Sequence, residues 1–366
     1  MIRSLLAPIG FAVLVISNCD SSGNKNTSSV DRSGQLKFWA NTVFVPGYAD
    51  LKTESTSFSI AVSSLCQNKT QENLDLLKTQ WQSLHESFSV VEPFKVGPFL
   101  DFEDEFNFWP TRETSVDNFL ADGQFDQTTF AEASVLAKSF SSIDYILYQK
   151  SPEQLVAELN ENTNPTCNYL TSWSEYFLTK VDELNTLWQA ETGSFYTAFV
   201  NAGTDQTEYS NQKIVFDLMI NAITQGFQTI ESAKLGTPLG NKSGGVAQLD
   251  ELETPFGVYS LTLIKGNLRG LKLAIYGSEF PLAASESLAQ TIESVAPEVL
   301  VDLTSRLNTV DETGDSFSIS LKDTIATEPD KASGYLQDIK AVVVLFATDI
   351  ASFLNVTVVF SDNDGD

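Results

Sequence analysis

Histidine is almost absent from this chain, with one residue, His85, in 366. That scarcity excludes a metal site built on two or three imidazoles, and His-Glu-x-x-His peptidase chemistry with it. A serine triad would have to use His85 without the Gly-x-Ser-x-Gly turn that presents such a nucleophile. Cysteine numbers only three, too few soft ligands for a thiolate zinc site. Cations are also in the minority: 22 Lys and Arg face 48 Asp and Glu, a formal charge of −26. Such a surface repels nucleic acid and anionic membrane, so no nucleic-acid partner is expected. The carboxylates are spread along the chain rather than clustered, which reads as a solvated acidic surface and not as a cation store. Alternating strand patterns are scarce, and only residues 316–321 and 356–360 hint at extended chain.

What the chain has instead is helical periodicity. Leu74, Leu77, Trp81, Leu84 and Phe88 follow the spacing of one buried helix face, as do Leu170, Trp173, Phe177, Val181, Leu184 and Trp188. Ile214, Leu218, Ala222, Phe227 and Ile230 mark another helix. A further stripe runs from Leu288 to Leu307, with a break expected near Pro297. Residues 342–354 form a late apolar helix, too interrupted by Asp349 to span a membrane. With 42% hydrophobic residues the chain can bury a large core. The class is all-α, two helical-bundle domains, each carrying one long irregular loop. The polar stretch at 202–206 divides them into 36–202 and 203–366. The irregular regions are 91–117 and 236–259, and sites tend to sit on such loops.

The N-terminus reads as an export signal. Met1-Ile2-Arg3 precedes an apolar run over 5–16, too short for a bilayer span, and then Cys19. This order resembles a bacterial lipoprotein signal over 1–19, with Cys19 the lipidated residue and 20–35 a flexible tether. The protein would then reside in the cell envelope, periplasm-facing or on the surface, held to the membrane by its lipid. Cys66 and Cys167 remain, and two cysteines in an oxidising compartment suggest one disulfide. Closing a loop of about 100 residues, it is worth on the order of 4 kcal/mol.

Several words of the sequence form a recognisable set. Phe94-Lys95-Val96-Gly97-Pro98-Phe99, Phe108-Trp109-Pro110-Thr111-Arg112 with Val116-Asp117, and the segment from Ser139 to Tyr148 come first. Lys234-Leu235-Gly236-Thr237-Pro238-Leu239, Glu253-Thr254-Pro255-Phe256 with Ser260, Asn267-Leu268-Arg269-Gly270-Leu271, Tyr276-Gly277 and the closing Asn363-Asp364-Gly365-Asp366 follow. In this order, over about 43–366, they resemble the imelysin family, and the spacing of Cys66 and Cys167 fits as well. The resemblance implies a bacterial envelope protein, often a lipoprotein, with two helical bundles flanking a cleft. It implies a peptidase name and, for some members, a link to iron uptake. The family hallmark is Gly-x-His-x-x-Glu, and the matching positions here read Ser139, Ser141 and Asp144. Aspartate can still bind a cation, but serine cannot ligate a metal as imidazole does.

Each candidate has a plainer use beside its functional one. Asp144, with Ser141 one turn away on a helix expected over 132–148, would present a carboxylate and a hydroxyl to the cleft, or accept interface hydrogen bonds. A metal there would be held by Asp144 alone, as an iron or other divalent ion. Arg112 and Asp117 flank the Trp109-Pro110 turn, where the arginine either clamps an anion or pairs with a carboxylate to hold the loop. Trp109 either stacks on a ligand or anchors that loop. Glu253 and Ser260 would complete the site, against the alternative that Glu253 caps a helix starting near Pro255. His85, beside an apolar stripe, reads as a hydrogen-bonded packing residue. The acidic run 101–105 lacks the ligand spacing of a calcium loop and reads as a solvated loop. The expectation is a non-catalytic binding protein linked to iron or metal uptake, with Arg112, Asp117, Ser141, Asp144, Glu253 and Ser260 lining the cleft. Alanine at Asp144 should then weaken ligand binding without unfolding the protein. The alternatives are an insulin-cleaving metallopeptidase of the family type and a scaffold for another envelope protein.

Overall fold

The computed structural model describes residues 30–359 except 124, 162–163 and 205–207. Cys19, the signal and tether up to residue 29, and the closing 363–366 therefore lie outside the described residues. The described part is helical, and no strand occurs within it.

Helices Val45–Gln67, Gln71–Val91 and Thr166–Leu187 pack together, as their periodic faces require. On the 71–91 helix the side chain of Thr70 caps the first turn, and Leu74, Leu77, Trp81, Leu84 and Phe88 are all buried. Leu170, Trp173, Phe177, Val181 and Leu184 bury the facing stripe of the 166–187 helix, with Trp173 and Phe177 stacked at 4.8 Å. Full burial of a side chain of this size is worth about 1.5–3 kcal/mol, so these stripes dominate the local stability. The Cys66–Cys167 disulfide joins the C-terminal end of the first helix to the N-terminal end of the third.

The later part of the chain adds helices Gln212–Thr229, Ser260–Tyr276, Pro297–Asp315 and Pro329–Leu345. From Arg32 onward the chain clusters as one compact unit. Residues on either side of position 203 meet where the 260–276 helix lies on the 71–91 helix. Two glycines permit that approach: a Cβ at Gly266 would collide with the Ser89 hydroxyl, and one at Gly270 with the Val90 carbonyl.

Three local expectations are corrected. Residues 132–148 do not form one helix but break into Val135–Lys138 and Phe140–Tyr148, because serine hydroxyls compete for the backbone. Ser134 accepts from Leu136 N, and Ser139 sits extended between the two pieces. Residues 316–321 and the described part of 356–360 form no strand. Ser320 instead caps helix Leu321–Thr327, and the backbone at Thr357 and Val359 bonds to the side chains of Asn221 and Gln225. The acidic run 101–105 lies in helix Phe99–Phe106, where Glu103 is buried against Lys95 and Glu105 holds Lys138. The break at Pro297 occurs where expected, with Pro297 opening a new helix after Leu288–Val295.

Candidate functional site

Where the two parts of the chain meet, the core is polar. The helix 212–229 runs on into a π-helical segment, Ile230–Gly236, whose wider turn re-aims its side chains relative to an α-helix. Lys234 projects from this segment into the interior and is 2% exposed. Its ammonium donates to Glu92 Oε2 at 2.7 Å and to Glu253 Oε2 at 2.8 Å, and the Trp109 ring centroid lies 5.3 Å from Nζ. Both carboxylates are as buried as the lysine. Asn267, on the 260–276 helix, donates its amide to Glu92 Oε2 and to the Ser89 carbonyl, both at 2.7 Å. Since both partners only accept, the orientation of that amide is fixed.

The network runs outward on one side. Glu92 Oε1 accepts from Asn107, which also reaches Glu103, and Glu103 pairs with the half-exposed Lys95. On the other side it reaches His85, whose Nε2 stands 3.6 Å from Glu253 Oε1, too far for a hydrogen bond. His85 Nδ1 is 3.2 Å from the Tyr259 hydroxyl, and its ring stacks on Phe140 at 4.6 Å. His85 thus packs and bonds at the same time, inside the site rather than beside it.

Burial alone would lower the pKa of Lys234 and raise that of Glu253. Burial is the largest single influence on each, but the partners together outweigh it: Glu253 and Glu92 hold Lys234 above the usual lysine range, and Lys234 with His85 holds Glu253 below the usual carboxylate range. Glu103 goes the other way: burial raises it and Lys95 only partly offsets that.

A few residues away lies a carboxylate without a cation. Asp144, fully buried on helix 140–148, accepts from the backbone N–H of Phe256 at 3.2 Å and of Gly257 at 3.1 Å. Burial pushes its pKa up to about 7 against those two N–H groups. A Cβ on Gly257 would collide with Asp144 Oδ1, so this contact depends on glycine. Asp144 thereby clamps the 253–257 loop that carries Glu253.

The residues singled out from the sequence divide accordingly. Glu253 does not cap a helix: the next helix begins only at Ser260, and the Glu253 carboxylate is taken by Lys234. Ser260 closes the loop, its hydroxyl accepting from Thr254 N at 3.0 Å. Ser141 is buried, with its hydroxyl 2.9 Å from that of Ser139, and shares no ligand with Asp144. Arg112 is exposed and forms no ion pair, and Asp117 is exposed and accepts from Tyr145. The loop-holding ion pair expected of Arg112 is not formed among the described residues. Glu92, Asn107 and Tyr259 carry no signal in the sequence, and Lys234 and Asn267 stand there only as letters of larger words. A lysine just ahead of an apolar stretch was the available signal.

A metal at the Ser141–Asp144 pair does not fit this arrangement. Both Asp144 oxygens accept backbone N–H groups, and the serine hydroxyl is bonded to its neighbour. Among the described residues no group of three His, Cys, Asp or Glu side chains could hold a metal ion.

Two cavities adjoin the network. One of ≈ 220 Å³ is lined by Glu92, Lys95, Gln225, Thr229, Lys234 and Asn267. A second of ≈ 410 Å³ shares Lys95 and Thr229 and continues along Glu103, Trp109, Gln228 and Ser232.

Comparison with known proteins identifies the family. The profile of the imelysin family, peptidase family M75, matches residues 44–343. The chain belongs to the imelysin family. A solved imelysin-like protein from Psychrobacter arcticum superposes with a TM-score of 0.70 at 17% identity, covering 91% of this chain and 99% of that one. A second solved structure, described as an iron-regulated protein A precursor from Parabacteroides distasonis, gives 0.73 at 16% identity over 86% and 94%. No curated protein matches the chain. At these identities the likeness establishes the imelysin fold.

Proposed function

We propose that this imelysin-family protein is a non-catalytic binding protein of the bacterial cell envelope, working in iron or metal acquisition. Its ligand sits in the paired cavities beside Trp109. One observation carries the reading: the hallmark positions Ser139, Ser141 and Asp144 are spent on internal hydrogen bonds, while open volume lies next to the buried Lys234 network. Those cavities take walls from both 36–202 and 203–366, which supports a ligand held where the two parts meet. Trp109 offers an aromatic face to it, and Lys95 a half-exposed ammonium. None of Arg112, Asp117, Ser141, Asp144, Glu253 and Ser260 lines either cavity.

The envelope setting is part of this reading. It rests on the signal-like residues 1–19 with Cys19 as lipid acceptor, and on a structural neighbour described as a precursor. No helix of the described residues is long and apolar enough to cross a membrane. The iron setting rests on that neighbour's description as iron-regulated.

The test pairs two assays on the purified protein. Insulin cleavage is followed with and without chelator, and ferrous, ferric, zinc and calcium ions, and iron as an anionic chelate, are titrated calorimetrically. The expected result is no chelator-sensitive cleavage, no saturable binding of the bare ions, and saturable binding of iron presented as an anionic chelate, which Trp109→Ala weakens. Chelator-sensitive cleavage would replace this reading with a peptidase. Absence of any saturable binding would remove the metal link and leave the scaffold reading.

A further inference from the structure

The geometry around Lys234 points to a cation-binding site whose occupant is part of the chain. We propose that Glu92, Glu253, Asn267 and His85 form a site for an ammonium ion, and that the Lys234 side chain is its tethered ligand. The ammonium bridges two carboxylates at 2.7 and 2.8 Å, as a bound cation would. These are charge-assisted N–H···O lengths, longer than the roughly 2.0–2.6 Å of metal–oxygen bonds. The donor shell is richer than one lysine needs. Glu253 Oε1, Asn267 Oδ1 and His85 Nε2 are all buried and have no hydrogen-bond partner. Unpaired buried polar atoms are uncommon in folded proteins, and here three belong to residues of one cluster. The site is also connected to space, because Lys234, Glu92 and Asn267 line the ≈ 220 Å³ cavity.

One covalently held ammonium stands between two buried carboxylates, so the lysine compensates one of their two charges and the cluster has room for a further hydrogen-bond donor. The claim is independent of what the cavities bind, since it concerns the floor of the site and not its occupant.

Truncation with chemical rescue tests it. Lys234→Ala removes the ammonium and leaves its volume, so the variant should melt well below the parent. Propylammonium should then restore it in a saturable way. At ten times its dissociation constant, a ligand bound only by the folded state raises the folded-to-unfolded ratio about elevenfold. Tetramethylammonium, which has no N–H to donate, and sodium chloride at equal ionic strength should not. Lys234→Met, whose side chain fills the space, should be insensitive to all three. Should Lys234→Ala not fold, it is refolded with and without propylammonium, and recovery of soluble helical protein only with the amine gives the same answer. No rescue in either format overturns the proposal. Rescue by zinc or manganese without any by propylammonium overturns the ammonium assignment.

Discussion

Asp144 and Glu253 are carboxylates buried equally deeply within one core, yet their surroundings drive them in opposite directions. Glu253 faces the ammonium of Lys234 at 2.8 Å, and its pKa falls below the usual range. Asp144 faces two backbone N–H groups, and burial lifts it to about 7. Asp144 accepts N–H groups at both oxygens, whereas Glu253 accepts only from Lys234 and its Oε1 has no partner, so hydrogen-bond count alone would predict the opposite order. The difference is a full opposite charge within contact distance, which offsets the loss of hydration where two partial charges do not. One corner of the site is therefore fixed as an ion pair near neutral pH, and the other stands at the edge of losing its charge.

Breaking the first corner should cost the most. Glu253→Gln leaves Lys234 with Glu92 as its only charged partner, and removing one member of a buried ion network typically costs about 3–5 kcal/mol. Urea unfolding should show the midpoint moving down with an unchanged slope. A loss under about 1 kcal/mol would mean that Glu92 alone suffices and that the two corners are not as different as their titration directions imply.

The second corner should give a smaller effect of the opposite sign with pH. Asp144 has a folded-state pKa raised to about 7, above its unfolded value of about 3.9. Between those values the unfolded chain has shed a proton that the folded chain retains. The stability Asp144 contributes is thus complete below about pH 4 and lost as pH rises through about 7. Glu253, depressed in the folded state, contributes stability above its unfolded value of about 4.3, which is lost as pH falls through the folded pKa. Asp144→Asn keeps an oxygen for Phe256 and Gly257 but removes the titration. Relative to the parent, the variant should gain stability from pH 4 to 7, with a limiting slope of about 1.4 kcal/mol per pH unit. Parallel curves for the two proteins over that range would show that Asp144 titrates as an ordinary surface acid.

The same contrast explains what could be read from the sequence. The 71–91 and 166–187 helices were legible because their apolar stripes repeat over five or six turns, and such stripes need no knowledge of a partner. The break at Ser139 was not, because its hydroxyl bonds to those of Ser141 and Ser142, and such local bonds leave the hydrophobic spacing unchanged. Lys234 was hidden for a different reason. Its partner Glu92 is 142 positions away, and a buried lysine has the same letter as a solvated one. Asp144 was noticed through its place in a family motif, but its partners Phe256 and Gly257 are 112 and 113 positions away and contribute only backbone atoms, which no side-chain pattern can report. The lone histidine was assigned its packing role correctly as far as its ring goes. That the ring faces Glu253 follows from the fold alone.

The smallest effect is expected outside both corners, at Arg112. The sequence placed it beside Asp144 and Glu253 as part of one polar site, but it stands exposed at the start of helix Glu113–Asp122, without an ion pair among the described residues. A cation there is screened by water and salt, unlike Lys234, and its removal leaves no buried carboxylate without a partner. Arg112→Ala should therefore change unfolding free energy by no more than about 0.5 kcal/mol and leave the pH dependence of stability superimposable on the parent's. A shift in the 4-to-7 limb would mean that Arg112 reaches Asp144 in solution, and the corner without a cation would then have one.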